Sequence, residues 1–556
     1  MKKQSWTLAP AALFLAGTLA AQTPAGATWG TYGGNDENMR FSGLRQITAA
    51  NVGKLVPRAI FQTGITKLGS FETTPIVVDG TMYVTTPYNT AIAYDLKTNK
   101  ELWRYEHKLG TTIYCCGPNN RGVAIHGPHA YMGTLDARLV ALDRKSGAVV
   151  WDNEVADPTY GYSITHAPLV VGGSVIVGVS GGEYGIRGHV TAYDAVSGKQ
   201  LWRWYSIPSP KGDETFDPMA PNGWAGDYVK TTPEGNDLHR DLAKEKGDAA
   251  AHADAWKNGG GGVWMTPAYD KESNTIFVAV GNPSPDLDGS IRPGDNLYTD
   301  CVVAIDATTG KTKWYYQTVP HDVWDLDAVS PPVVTTLDGK KVVVHSGKTG
   351  WVYVLDAKNG KLIRKSAATV PQENIFALPS PEGTRMLPGA NGGSEWSPIS
   401  IDPALSYAFV ASLHQPMNYK THYAAYEKSR LWLGSAFVAI PGEEQYGLLS
   451  AVNLKTGAIA WQNKVPQPMM GGTLSTAGGL TFTGEGNGNF NAYDSKTGKN
   501  LWTFNAGAGC NAAPMTFEFE GEQMIAVACG GNYQLSYPLG NAVMIFGLPK
   551  STMAVK

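Results

Sequence analysis

Two cysteines, Cys115 and Cys116, are neighbours in the chain. In an oxidising compartment adjacent thiols are expected to close on each other. Such a ring joins no distant segments, so it adds almost no loop-closure stabilisation. Its use is then as a rigid surface on which a bound group can lie. Of the remaining cysteines, Cys510 and Cys529 flank what reads as one hairpin, within reach of pairing. Cys301 opens the apolar run 301–305, where a thiol behaves as a small buried hydrophobe. No C-x-x-C-H motif occurs, so covalent c-type haem is not encoded. His126, His166 and His321 match no zinc spacing and read as hydrogen-bonding loop residues.

The compartment follows from residues 1–27, which read as a signal peptide. Lys2 and Lys3 precede the short apolar run 8–20, and small residues follow, with cleavage expected after Ala21 or Ala27. The run is short for a membrane span, and no later stretch reaches 18 apolar residues. The mature chain is therefore expected to be periplasmic or secreted, with no membrane span. A net charge of −3 and a pI near 6.4 argue against a nucleic-acid partner.

These residues need a scaffold, and a repeat supplies it: Asp, three residues, Gly, three residues, Trp. It occurs at Asp143/Gly147/Trp151, Asp194/Gly198/Trp202, Asp306/Gly310/Trp314 and Asp494/Gly498/Trp502. Asp95/Asn99/Trp103 and Asn453/Gly457/Trp461 each vary one position, and Asp356/Gly360/Arg364 loses the Trp. Each copy ends one strand, turns through Gly or Asn where positive φ is required, and opens the next. The Trp is a large apolar body with one N–H donor, suited to locking one sheet onto another. An eighth unit reads as split between the termini, with 524–528 and 543–546 as inner strands and 56–62 as outer strand. The expected fold is all-β: a single eight-bladed β-propeller over 28–556, with tryptophan-docking repeats, closed by N- and C-terminal strands. The repeat-free segment 208–262 is expected to form a funnel wall or lid, with a short helix within 237–256.

With the loop motifs added, the chain resembles the pyrroloquinoline quinone (PQQ)-dependent alcohol dehydrogenases of the methanol and ethanol dehydrogenase group. The resemblance runs from Trp29-Gly-Thr-Tyr-Gly-Gly34 to the last repeat. It implies that a Cys115–Cys116 disulfide lies against one face of the quinone and the indole of Trp264 against the other. It also implies that Arg121, Thr165, Ser180, Gly181 and Gly182 hold the acidic rim, with Glu72 and Lys348 as further contacts. Glu183 in Ser180-Gly-Gly-Glu183, Asn282 in Gly281-Asn-Pro-Ser-Pro285 and Asp325 in His321-Asp-Val-Trp-Asp325 match the family's metal ligands. All are hard oxygen donors, as Ca²⁺ requires.

The chain departs from the family pattern at four places. Gly262 stands where Thr is common, Glu395 where methanol dehydrogenases have Asn, and Met470 where they have Trp. Asp327 stands where calcium methanol dehydrogenases have Ala and lanthanide-dependent relatives have Asp. It is therefore read as a further metal ligand, with a lanthanide as the alternative to Ca²⁺; pairing with a nearby Lys or Arg is the competing reading of Asp327. The implied reaction is oxidation of an alcohol or polyol to aldehyde or ketone, with Asp325 as general base and hydride passing to C5 of PQQ. Electrons would leave to a separate periplasmic cytochrome c or similar carrier. The alternative is a non-catalytic propeller of the outer-membrane assembly type, which shares the repeat but is not expected to carry the paired cysteines, Trp264 or the metal trio.

Overall fold

The computed structural model describes residues 28–67 and 69–550; the segment read as a signal peptide lies outside them. Strands alternate with turns throughout, and the single α-helix among the described residues is seven residues long. Seven sheets contain four antiparallel strands each, an eighth has four antiparallel strands plus the short strand Phe41–Ser42 paired parallel at its edge, and a ninth contains three. Five of these seven use four strands consecutive in the chain, such as Ile76–Val78, Thr81–Thr86, Thr90–Asp95 and Lys100–Glu106. One sheet is assembled from both ends of the chain: Val56–Gln62 pairs antiparallel with Ala542–Gly547, with Phe61 opposite Val543.

The repeat explains how neighbouring sheets dock. In each copy the Asp or Asn side chain accepts backbone N–H bonds from the turn, as Asp143 does from Ser146 at 2.8 Å, and the following Gly or Asn adopts a positive φ of 55–78°. That Gly lies flat on the Trp of the preceding repeat. A Cβ on Gly147 would sit 2.7 Å from Trp103, and one on Gly310 2.6 Å from Trp202, so a side chain at these positions is excluded twice, by φ and by space. The indole N–H then donates across to the next sheet: Trp103 to the Arg144 carbonyl, Trp202 to Ala307, Trp314 to Ala357, and Trp461 to Ser495, at 2.9–3.1 Å. Where the repeat loses its Trp, the stem of Arg364 packs on Gly457 instead.

The middle strands of each sheet are buried on both faces, which is why segments such as Cys301–Asp306 read as continuous apolar runs. The last strands alternate, because one face meets solvent.

Strand count also determines where the functional loops lie. In a four-stranded antiparallel sheet the link between strands two and three and the link onward to the next sheet leave from one end. The turn between strands three and four, which carries the Asp and Gly of the repeat, lies at the other. Cys115, Cys116, Arg121, Thr165, Trp264, Asp325 and Asp327 lie on onward links, and Ser180, Glu183, Asn282 and Lys348 on links between strands two and three. The repeat turns and the candidate site are therefore at opposite ends of the sheets.

Segment 208–262 contains the helix Leu242–Asp248, capped by Asp241, whose side chain accepts the Lys244 N–H at 3.0 Å. It packs against the 292–298 loop: Arg240 bridges Glu245 (2.6 Å) and Asp295 (2.7 Å), and Trp224 accepts the Leu297 N–H. None of its residues lines the cavity described below.

Candidate active site

At the loop end a cavity of about 1070 Å³, its open mouth included, gathers twelve of the residues assigned a cofactor, metal or catalytic role in the sequence. These are Glu72, Cys115, Cys116, Arg121, Thr165, Ser180, Gly181, Glu183, Trp264, Asp325, Asp327 and Lys348. Gly182 and Asn282 lie immediately behind the wall: the Gly182 carbonyl accepts from Ser284 Oγ at 2.6 Å, and the Asn282 N–H donates to Asp327 Oδ1 at 2.5 Å. The segment 431–437, inserted in one of the four-stranded sheets, adds Leu431, Leu433 and Phe437, so the apolar cover comes from there and not from 208–262.

On one side the Arg121 guanidinium is clamped between aromatic faces, 5.2 Å from the Trp264 ring and 4.7 Å from the Trp396 ring. One of its nitrogens meets Glu72 Oε2 at 2.7 Å, while Nε and Nη1 are buried and unpartnered. Buried donors left empty cost about 1–3 kcal/mol each, more when charged. Burial raises the Glu72 carboxyl, and Arg121 and the Asn532 amide oppose that rise. Arg121 therefore presents two charged N–H groups to an anionic ligand in this cavity.

On the other side Lys348 Nζ lies 3.0 Å from Asp325 Oδ1 and 3.2 Å from Asp327 Oδ2. Burial and the Asp327 charge push the Asp325 carboxyl well above the ordinary range, against the pull of Lys348. Burial opposes the Lys348 charge, but Asp325, Asp327 and Glu395 outweigh it and hold the ammonium well above its usual value. Glu395, also in the wall, is pushed up to about 7 by burial. Both Asp327 oxygens are engaged by the chain, one by Lys348 and the other by the Asn282 N–H, which is the pairing arrangement.

One expectation needs correction. Cys115 and Cys116 are free thiols here, while Cys510 and Cys529 form a disulfide. Among the described residues the one trio of His, Cys, Asp or Glu ligand atoms mutually within 4.8 Å is Cys115, Cys116 and Glu183.

Sequence reasoning missed Trp396, Asn391 and Gln534 in the wall, as well as Asp286. Trp396 carried a signal, since Gly392-Gly393 precedes it on an onward link much as Gly261-Gly262 precedes Trp264.

Residues 29–227, 238–374 and 417–525 match the sequence profile of the family described as PQQ glucose/ethanol/alcohol dehydrogenase, beta-propeller domain. The chain belongs to the PQQ-dependent alcohol dehydrogenases. It is 35% identical to the quinoprotein alcohol dehydrogenase PedH of Pseudomonas putida, over 89% of this chain and 84% of that one. It is 34% identical to a quinoprotein ethanol dehydrogenase of Pseudomonas aeruginosa, over 93% and 86%. Among solved structures, the quinohemoprotein alcohol dehydrogenase of Comamonas testosteroni superposes with a TM-score of 0.82 at 31% identity, covering 96% of this chain and 81% of that one. A europium-containing methanol dehydrogenase superposes with a TM-score of 0.81 at 29% identity, covering 94% and 98%. The fold of this quinoprotein enzyme is a β-propeller. The unpartnered Arg121 donors and the flat Trp264 wall fit the acidic, planar cofactor that its family name specifies. The hard-oxygen donors Glu183, Asn282 and Asp325 fit a hard cation in chemistry.

Proposed function

We propose that this enzyme oxidises an alcohol or polyol, with Asp325 as the base that receives the hydroxyl proton. The observation that carries this reading is one cavity with two poles: an unsatisfied Arg121 guanidinium on one side and the Asp325–Lys348 pair on the other. Arg121 would hold an acidic edge of PQQ, with Thr165, Ser180, Gly181 and Gly182 along the rim. Trp264 and the Cys115–Cys116 pair would bound its faces, and Glu72 would fix the guanidinium. Bound PQQ would supply the acceptor for the hydride of the carbinol carbon, and with it the two electrons of the oxidation. Lys348, 3.0 Å from Asp325, favours the charged carboxylate that a base must present. Glu183, the Asn282 side-chain oxygen and Asp325 would hold Ca²⁺ or a lanthanide ion, with Asp327 adding negative charge beside them. Leu431, Leu433 and Phe437 give the entrance an apolar lining suited to the carbon chain of an alcohol.

The scaffold is read as eight blades in one closed ring, sealed where Val56–Gln62 pairs with Ala542–Gly547. Residues 1–27 support export to the periplasm, and the missing haem motif supports a separate cytochrome c or similar carrier as electron acceptor.

Reconstitution of metal-free protein tests the reading. Dye-linked oxidation of a series of alcohols and polyols is expected only when PQQ and either Ca²⁺ or La³⁺ are both added. Asp327→Ala is expected to lose La³⁺-supported activity more than Ca²⁺-supported activity. Equal rates without PQQ would overturn the assignment. Equal dependence on the two ions in both proteins would remove Asp327 from the metal site.

A further inference from the structure

Asp286 lines the cavity, is 2% exposed, and has a buried Oδ1 atom without any hydrogen-bond partner. It closes the segment Gly281-Asn-Pro-Ser-Pro285, which is pinned from outside. The Leu287 N–H donates to the Leu433 carbonyl at 2.8 Å, and a Cβ on Gly434 would sit 2.7 Å from Pro285. Asp286 is thus fixed beside the segment carrying the apolar entrance residues Leu431 and Leu433. The charges that act on it include the carboxylates Asp325, Glu183 and Asp327 and the cations Lys348 and Arg292, and Lys348 is already engaged by Asp325 and Asp327. The nearby Arg292 spends its guanidinium on the carbonyls of Pro285, Asp286 and Asp322 and on Asn296 Oδ1, leaving the Asp286 carboxylate unpaired. A buried carboxylate with no partner is costly unless something neutralises it.

Six carboxylates line this cavity, those of Glu72, Glu183, Asp286, Asp325, Asp327 and Glu395, against two cationic side chains, Arg121 and Lys348.

Resting on the alcohol-oxidation reading above, we propose that Asp286 is a specificity-determining residue whose carboxylate receives the protonated amine of an amino alcohol substrate. The hydroxyl of that substrate is presented to Asp325 and its carbon chain lies along Leu431 and Leu433. A charge-assisted bond to a buried carboxylate strengthens binding by an order of magnitude or more.

The test compares 3-amino-1-propanol with 1-butanol, which differ by an ammonium in place of a methyl, on reconstituted wild-type enzyme and on Asp286→Asn. The ratio of kcat/KM, amino alcohol over 1-butanol, is expected to exceed one in the wild type and to fall at least tenfold in the variant, mainly through KM. La³⁺ and Ca²⁺ affinities, measured by calorimetric titration, are expected to match within threefold between the two proteins. Oxidation of 1-butanol with no preference for the amine, or an unchanged ratio in the variant, overturns this inference and leaves the alcohol dehydrogenase reading standing. Loss of metal affinity in Asp286→Asn also overturns it, by making Asp286 a metal ligand. Absence of any dye reduction with either alcohol would instead defeat both readings together.

Discussion

Replacing Arg121 with Gln should uncouple cofactor binding from everything else in the cavity. Arg121 is 3% exposed and has one partner, Glu72 at 2.7 Å, leaving Nε and Nη1 for the ligand. Two charge-assisted hydrogen bonds at roughly 1.5–3 kcal/mol each amount to about 3–6 kcal/mol. At about 1.4 kcal/mol per decade this is a loss of roughly 10²–10⁴ in PQQ affinity. The variant also leaves Glu72, 1% exposed, without the cation that lowers its pKa, so its carboxyl is driven further up. Part of the loss therefore comes from a stranded acid facing an anionic ligand. Glu72→Gln alone should change affinity by less than tenfold, and the double variant should bind better than Arg121→Gln. Trp264 and Trp396, both packed on Arg121, make intrinsic fluorescence quenching on PQQ titration a direct readout. A Kd for Arg121→Gln within threefold of wild type would refute the reasoning, and so would a double variant weaker than the single one.

Asp325→Ala should lower kcat by about 10²–10⁴ while PQQ still quenches the fluorescence; retention of near wild-type turnover would exclude Asp325 as the base. Thiol titration of the unfolded, unreduced protein should report three free cysteines, Cys115, Cys116 and Cys301; a count of one would show the adjacent pair closed. Glu395 carries a pKa raised to about 7 by burial, against about 4.3 for an unperturbed Glu. Between these values the folded state binds more protons than the unfolded, so this group's contribution to stability falls as pH rises from about 4.3 to 7. Glu395→Gln should flatten that decline in urea midpoints measured at pH 5 and pH 7, and parallel curves would refute it.

The order of the elements and the docking of the sheets were legible in the chain because both depend on short-range chemistry. Asp143 caps its own turn within three residues, and Gly147 takes a φ open to few other residues. Trp103 needs only a flat Gly to rest on, 44 positions along the chain, supplied wherever the repeat recurs. The strand links that carry Arg121, Trp264, Asp325 and Lys348 follow from counting four strands per unit, so one end of the sheets was marked for function before any contact was known.

Tertiary structure alone decided which of those loop residues are satisfied and which are left unpaired. Asp327 and Asp286 are both loop aspartates, and nothing in their local sequence separates them. Folding gives Asp327 to Lys348 and the Asn282 N–H, and gives Oδ1 of Asp286 no partner. Likewise 208–262 reads as the long insertion most suited to cover a site, yet the apolar cover is the shorter segment around Leu431–Phe437. Turn and repeat preferences act over a few residues and are written into composition. Partners for a buried charge come from segments tens to hundreds of residues away, so the assignment of partners, and with it the chemistry of the cavity, emerges only when the sheets have packed.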